Sequence, residues 1–252
     1  MSIFNTSVNF ESIHKDKDKD GSGDTINKLT LTNDTEFYFY IRGHIRDSFN
    51  TDRLKNFVKL LKSNFKNIKF ILQTWKHKEC KKSESYRYIN EDNTIISKQI
   101  IENYFKDEDI TKQCLIIDEK SIELVGKTHG KICQNCPKQG WKNMWYGIYK
   151  GLNYLDDNSS DIIVSFRYDY FNIPQNSGIN EKLIIEFINN NLNSEYIHFI
   201  NYNCEGTDNL YMGRCNKIKT LIKRFHYNLD DILDMNKVGN QELLVNIVAN
   251  TI

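Results

Sequence analysis

Four short runs of the chain are apolar without polar alternation: Phe37-Tyr38-Phe39-Tyr40-Ile41, Ile68-Lys69-Phe70-Ile71-Leu72, Cys114-Leu115-Ile116-Ile117 and Ile162-Ile163-Val164-Ser165-Phe166. Strands of that kind suit a sheet covered on both faces, because a half-solvated strand shows a polar residue at every second position. Between them lie stretches with helical spacing. Arg53 to Phe65 places Leu54, Phe57, Val58, Leu61 and Phe65 on one face, and Trp141 to Leu155 does the same with Met144, Trp145, Ile148, Leu152 and Leu155. Ile95 to Phe105, Glu181 to Asn191, Cys215 to Phe225 and Gln241 to Ala249 read as further helices, and Tyr196 to Ile200 as a fifth strand. Strand and helix in alternation predict one α/β domain with a mostly parallel sheet and helices on both faces, with ligands at the carboxyl ends of the strands.

The chain has 252 residues, enough for a sizeable core. Lys and Arg number 34 against 33 for Asp and Glu, a formal net charge of +1, which removes the electrostatic case for a general nucleic-acid or membrane-surface binder. No run approaches a membrane span, and the first residues lack the basic-then-apolar order of a secretory signal, so a cytoplasmic protein without membrane insertion is expected. Residues 1–28 carry the Lys-Asp repeat from His14 to Asp24, and the folded domain is expected from 29 to 252. Asp16, Asp18, Asp20, Gly21 and Asp24 match part of a calcium-loop pattern, yet Asn27 stands where the closing Glu belongs, which favours a solvated repeat.

Two strand ends carry polar clusters. In Arg42-Gly43-His44-Ile45-Arg46-Asp47-Ser48, Gly43 permits a close backbone turn, and Arg46 stands before the expected helix, where an anion can bind. In a second reading Asp47 or Ser48 caps that helix and Arg46 is solvated. In Arg167-Tyr168-Asp169, the carboxylate follows a buried strand and either holds a hard cation or forms a turn paired with Arg167. Trp75, at another strand end, is placed to stack on a base or sugar.

Six cysteines are spread along the chain. Cys133 and Cys136 have the two-residue spacing that suits zinc, and His77 with Cys80 supplies a second pair, His129 competing; a reduced thiol pair or a redox disulfide needs no metal. Cys114 and Cys215 read as core thiols.

The segments Phe39 to Arg46, Gln73-Thr74-Trp75, Asn143 to Lys150 and Asp161 to Asp169, in that order, resemble the small GT-A-like glycosyltransferases of giant DNA viruses and bacterial surface-polysaccharide loci. The resemblance runs from about residue 36 to the C-terminus. It implies a Rossmann-type nucleotide-sugar domain in which Gly43, Arg46 and Arg167 face the donor and Asp169 holds Mn²⁺ or Mg²⁺. It also places Asp208 to Gly213 on the acceptor side and Glu242 at the start of the terminal helix, so that Glu242 or Asp208 serves as the base. The chain departs from the family pattern at Asn240 and Gln241, where a His commonly precedes the Glu. The implied activity is transfer of a sugar from a nucleotide sugar to a glycan or protein acceptor, in host cytoplasm or a virus factory if the source is viral. The alternative is a non-catalytic nucleotide-sugar or glycan-binding protein with a zinc-stabilised interaction surface.

Overall fold

The computed structural model describes residues 35–79, 92–106, 108–110, 112–132, 136–157, 161–173, 176, 178–200 and 207–252. The calls on 1–28, on the Lys-Asp repeat and on Cys80 and Cys133 lie outside these residues. In chain order the elements are β1 (Phe37–Arg42), α1 (Arg53–Asn64), β2 (Ile68–Trp75), β3 (His77–Glu79), β4 (Asp92–Ile95), α2 (Lys98–Phe105) and β5 (Cys114–Ile117). There follow β6 (Lys131–Ile132), β7 (Cys136–Pro137), α3 (Lys138–Leu152), β8 (Ile162–Arg167), α4 (Glu181–Asn191), β9 (His198–Phe199), β10 (Leu210–Arg214), α5 (Cys215–Tyr227), α6 (Leu229–Met235) and α7 (Gln241–Ala249).

The described residues form a six-stranded sheet in the order β5-β2-β1-β8-β10-β9. β5, β2, β1 and β8 run parallel, while β10 is antiparallel to both β8 and β9. After β1 the chain builds outward through β2 and β5, then crosses back to place β8 on the other side of β1. That reversal leaves a crevice at the carboxyl ends of β1 and β8.

The unbroken apolar runs of β1 and β8 are explained by the two layers that cover the sheet, whereas the run 114–117 is the edge strand β5, where Leu115 is exposed. Phe37, Phe39 and Ile41 point to a core shared with Leu54, Phe57, Val58 and Leu61 of α1, Ile101 and Phe105 of α2, and Ile184 and Ile188 of α4. Tyr38 and Tyr40 point to the opposite core, with Trp145, Ile148 and Leu152 of α3, Ile218 and Phe225 of α5 and Leu244 and Val245 of α7. Each such side chain contributes about 1.5–3 kcal/mol on leaving water. The aromatics from Phe37 to Tyr40 are therefore core residues, as is buried Tyr168.

Helix starts follow local chemistry. Ser97 Oγ accepts from Ile100 N at 3.3 Å, Asn180 Oδ1 from Leu183 N at 3.0 Å and Asn240 Oδ1 from Glu242 N at 2.7 Å, each satisfying an amide that has no partner within its helix. Three details depart from the expected elements. α1 begins at Arg53 as expected, but a short 3-10 turn over Ser48–Asn50 precedes it, Asp52 stands at its N-cap position, and the Asp47 side chain does not cap it. Leu210–Arg214 forms the buried strand β10, which was not among the expected strands. The strand expected over 196–200 is reduced to His198–Phe199. Among the described residues no helix is long and apolar enough to cross a membrane.

Candidate functional site

At the carboxyl ends of β1, β2 and β8 the residues Gln73, Arg42 and Arg167 stand in one row, Arg42 in register with both others. They form part of the wall of a cleft of about 150 Å³. Gly43, His44, Arg46, Trp75, Asp208, Asn209 and Glu242 also line it, together with Gly140, Trp141, Asn143 and Met144 from the first turns of α3. The structure thus brings together Gly43, Arg46, Trp75, Arg167, Asp208 and Glu242, which the sequence placed at distant positions.

The turn after β1 supplies one wall. Gly43 has φ +94° and Arg46 φ +50°, so two residues in this turn adopt the left-handed region, at no steric cost for Gly43 and at some cost for Arg46. A Cβ at Gly43 would meet nothing within 4 Å, so the backbone angle and not crowding calls for glycine there. Gly43 N donates to the Gln73 carbonyl at 3.1 Å and Arg46 N to that of Lys78 at 3.3 Å, which ties the turn to β2 and β3.

Arg46 is not solvated. Its Nε donates to Glu79 Oε1 at 2.8 Å and its Nη1 to Asp169 Oδ2. Arg167 grips the same carboxylate with two parallel bonds, Nε to Oδ1 and Nη2 to Oδ2, both 2.8 Å, and its Nη1 reaches Asn209 Oδ1 at 3.1 Å. Asp169 is 4% exposed. Burial alone would raise its carboxyl pKa, but the two guanidiniums outweigh burial and hold it well below the usual carboxylate range. Arg42, 2% exposed, donates from Nε to Ser165 Oγ at 2.9 Å and from Nη2 to the Asp208 carbonyl, and it lies over the Tyr211 ring.

His44 and Trp75 stack with ring centroids 5.8 Å apart. Nδ1 of His44 lies 3.2 Å from the His77 carbonyl and donates to it, so Nε2 is the bare acceptor of a neutral ring. Burial, aided by the nearby Arg46 charge, pushes this imidazole down to about 4. Among the described residues His44 Nε2, Gln73 Nε2, Trp141 Nε1 and Asn143 Oδ1 are buried without a hydrogen-bond partner. All four belong to side chains that line the cleft, two as donors and two as acceptors, and an unmet buried polar atom costs about 1–3 kcal/mol.

The donor set does not fit a divalent ion at Asp169. Both of its oxygens accept from guanidinium groups, and the side chain lies behind Arg46 and Arg167 and does not line the cleft. Of the two readings of Arg167-Tyr168-Asp169, the paired turn is the one the geometry carries. Among the described residues no group of three or more His, Cys, Asp or Glu is placed to hold a metal. His77 of the expected zinc set has Nδ1 2.9 Å from Glu119 Oε2, Cys136 lines the cleft, and His129 is exposed. Cys114 and Cys215 are thiols that burial pushes up to about 11, in keeping with core roles.

Arg42, His44, Gln73, Trp141 and Asn143 had no assigned role in the sequence reading. The available signals were a charged or amide residue closing an apolar strand, for Arg42 and Gln73, and polar and aromatic residues opening a helix just after Pro137. No family model, curated protein or solved structure matches the chain in comparisons with known proteins.

Proposed function

We propose that the chain is a GT-A-like glycosyltransferase, moving a sugar from a nucleoside-diphosphate donor to a hydroxyl of a glycan or protein. The observation that carries this reading is the division of the cleft: Arg42, Arg46 and Arg167 line it together with two carboxylates, Asp208 and Glu242. In such a transfer the bond from the sugar C1 to the diphosphate oxygen breaks, and the diphosphate leaves with the electron pair. A bond from C1 to the acceptor oxygen forms, and the hydroxyl proton passes to a base. Charge develops on the leaving diphosphate, where fixed guanidiniums stabilise it, and the proton needs a carboxylate within hydrogen-bond reach. Trp75 and the unpartnered atoms of His44, Gln73, Trp141 and Asn143 offer a stacking surface with donors and acceptors for an uncharged ring, base or sugar.

A panel of nucleotide sugars screened by thermal shift, followed by product analysis of the donors that stabilise the protein, tests this. A ligand at a hundredfold excess over its Kd stabilises by about 2.7 kcal/mol, well within reach of the method. Release of nucleoside diphosphate with label appearing in an acceptor supports transfer. Donor binding with neither hydrolysis nor transfer across a broad acceptor panel replaces the enzyme with a binding protein, and no stabilisation by any nucleotide sugar rejects the reading.

A further inference from the structure

We propose that the cleft neutralises the diphosphate of its ligand with guanidinium groups alone, and that Asp169 is the positioning residue for those groups instead of a ligand to a divalent ion. This rests on the reading of the cleft as a diphosphate-sugar site. Three observations point the same way. The first is order in space: Arg46 and Arg167 line the cleft, whereas Asp169 and Glu79, the carboxylates that hold them, do not. An ion bound to Asp169 would have to displace two guanidiniums that already occupy both of its oxygens.

The second is preorganisation. A guanidinium on a free side chain loses rotamer freedom when it grips a phosphate, and that cost is reduced when the fork is held in advance. Arg167 is held by a bidentate pair and by Asn209, Arg46 by Glu79 and Asp169, and Arg42 by Ser165 and the Asp208 carbonyl. Arg46 Nη2 is in none of these bonds and remains for a ligand at the cleft wall. The backbone contributes too, since the left-handed Arg46 is kept in the turn that brings it to Asp169.

The third is charge. Arg46 and Arg167 are balanced by buried Asp169 and half-buried Glu79, and Arg42, which has no carboxylate partner among the described residues, adds a positive charge at the row of strand ends. Asp208 and Glu242 also line the cleft, so the three guanidiniums meet a diphosphate through where they are held and not through a net excess of positive charge.

Calorimetry on metal-stripped protein decides the matter, with inorganic pyrophosphate and with UDP and GDP as probes, first in excess EDTA and then in Mn²⁺. The expected result is binding in EDTA at least as tight as in Mn²⁺, with Arg46→Ala and Arg167→Ala each weakening pyrophosphate by about tenfold or more. Asp169→Asn removes an anion from beneath two cations but frees their forks, two effects that oppose each other in binding, so pyrophosphate binding in EDTA is expected to persist within about tenfold of the parent while kcat for transfer falls, because the forks lose their fixed orientation. Asp169→Glu restores part of that kcat. Binding that appears only with Mn²⁺ overturns the proposal, as does loss of binding in Asp169→Asn; should that variant not fold, the EDTA comparison on the parent protein decides alone. Pyrophosphate binding in EDTA with nucleoside diphosphates bound no more tightly supports the metal-free anion site while rejecting the nucleotide-sugar reading. No binding of any probe under either condition overturns both.

Discussion

Arg42 and Arg167 stand side by side in register at the carboxyl ends of neighbouring parallel strands, two cations in adjacent positions of one sheet. Like charges so placed repel, and the fold separates their anchors. Arg167 turns to Asp169, while Arg42 turns to Ser165 on β8 and to the Asp208 carbonyl just before β10. The antiparallel β10 is what makes this possible, because it brings the 208–209 turn to the same end of the sheet as the ends of β1 and β8.

Arg42→Met tests how much of that arrangement is structural. The substitution leaves Ser165 Oγ and the Asp208 carbonyl without the buried donor that satisfies them, a loss of about 2–4 kcal/mol. Urea denaturation is expected to show a lower midpoint with an unchanged slope. An unchanged or higher midpoint would mean that relief of repulsion from Arg167 outweighs the lost bonds.

Two glycines of α3 predict opposite outcomes. A Cβ at Gly151 would lie 2.8 Å from Cζ of the fully buried Tyr40, so Gly151→Ala is expected to destabilise by about 1–3 kcal/mol despite its better helix propensity. A Cβ at Gly147 would lie 3.1 Å from Trp75 Cζ2 and 3.2 Å from Gln73 Nε2, contacts that a small shift relieves. Gly147→Ala is therefore expected to change thermal stability by less than about 1 kcal/mol, with propensity offsetting strain, yet to weaken nucleotide binding severalfold because both displaced side chains line the cleft. Melting curves and calorimetry on the two variants check the contrast, and equal losses of stability would refute it.

The layered α/β fold was legible in the sequence because its signals are local. Runs such as Phe37 to Ile41 report strands buried on both faces, and the Leu54, Phe57, Val58, Leu61 spacing reports a helix. The strand β10 was not, since Leu210-Tyr211-Met212-Gly213-Arg214 is short and is defined by pairing to distant residues on β8 and β9. The polar residues at strand ends were legible as candidates, whereas their partners were not. That Asp169 is held by Arg46, 123 positions away in sequence, depends on how two loops meet, and a carboxylate after a strand reads the same whether it awaits a metal or is filled by guanidiniums.

Acid titration of stability should register His44. Its folded pKa of about 4 lies below the ordinary 6.5, so the unfolded chain binds the extra proton first. The contribution is fully present above about pH 6.5 and is lost as pH falls towards 4, by about 1–3 kcal/mol. His198 and His226, lowered by burial, act in the same direction, while Glu79, raised by burial against the pull of Arg46, acts in the opposite one. The measurement is thus the difference between the parent and His44→Asn across pH 4–7. A variant whose stability falls with acid as steeply as the parent's would show that His44 titrates freely.

The carboxylates of the cleft separate catalysis from capping. Glu242 lies in the first turn of α7, where Asn240 caps its amide, and a carboxylate there complements the helix dipole by about 0.3–1 kcal/mol. As a base it would be worth far more to the reaction than to the fold. Glu242→Gln is therefore expected to keep donor affinity and nearly all stability while losing transfer by about 10²–10⁴-fold. Asp208→Asn, measured alongside, assigns the role: Asp208 is 5% exposed in the turn whose carbonyl holds Arg42, so its replacement is expected to cost stability as well as rate. Stopped assays with a fixed donor and acceptor, read against the melting temperature of each variant, distinguish the two. If neither substitution lowers transfer by tenfold, no described carboxylate of this cleft takes the acceptor proton, and the transfer reading loses its base.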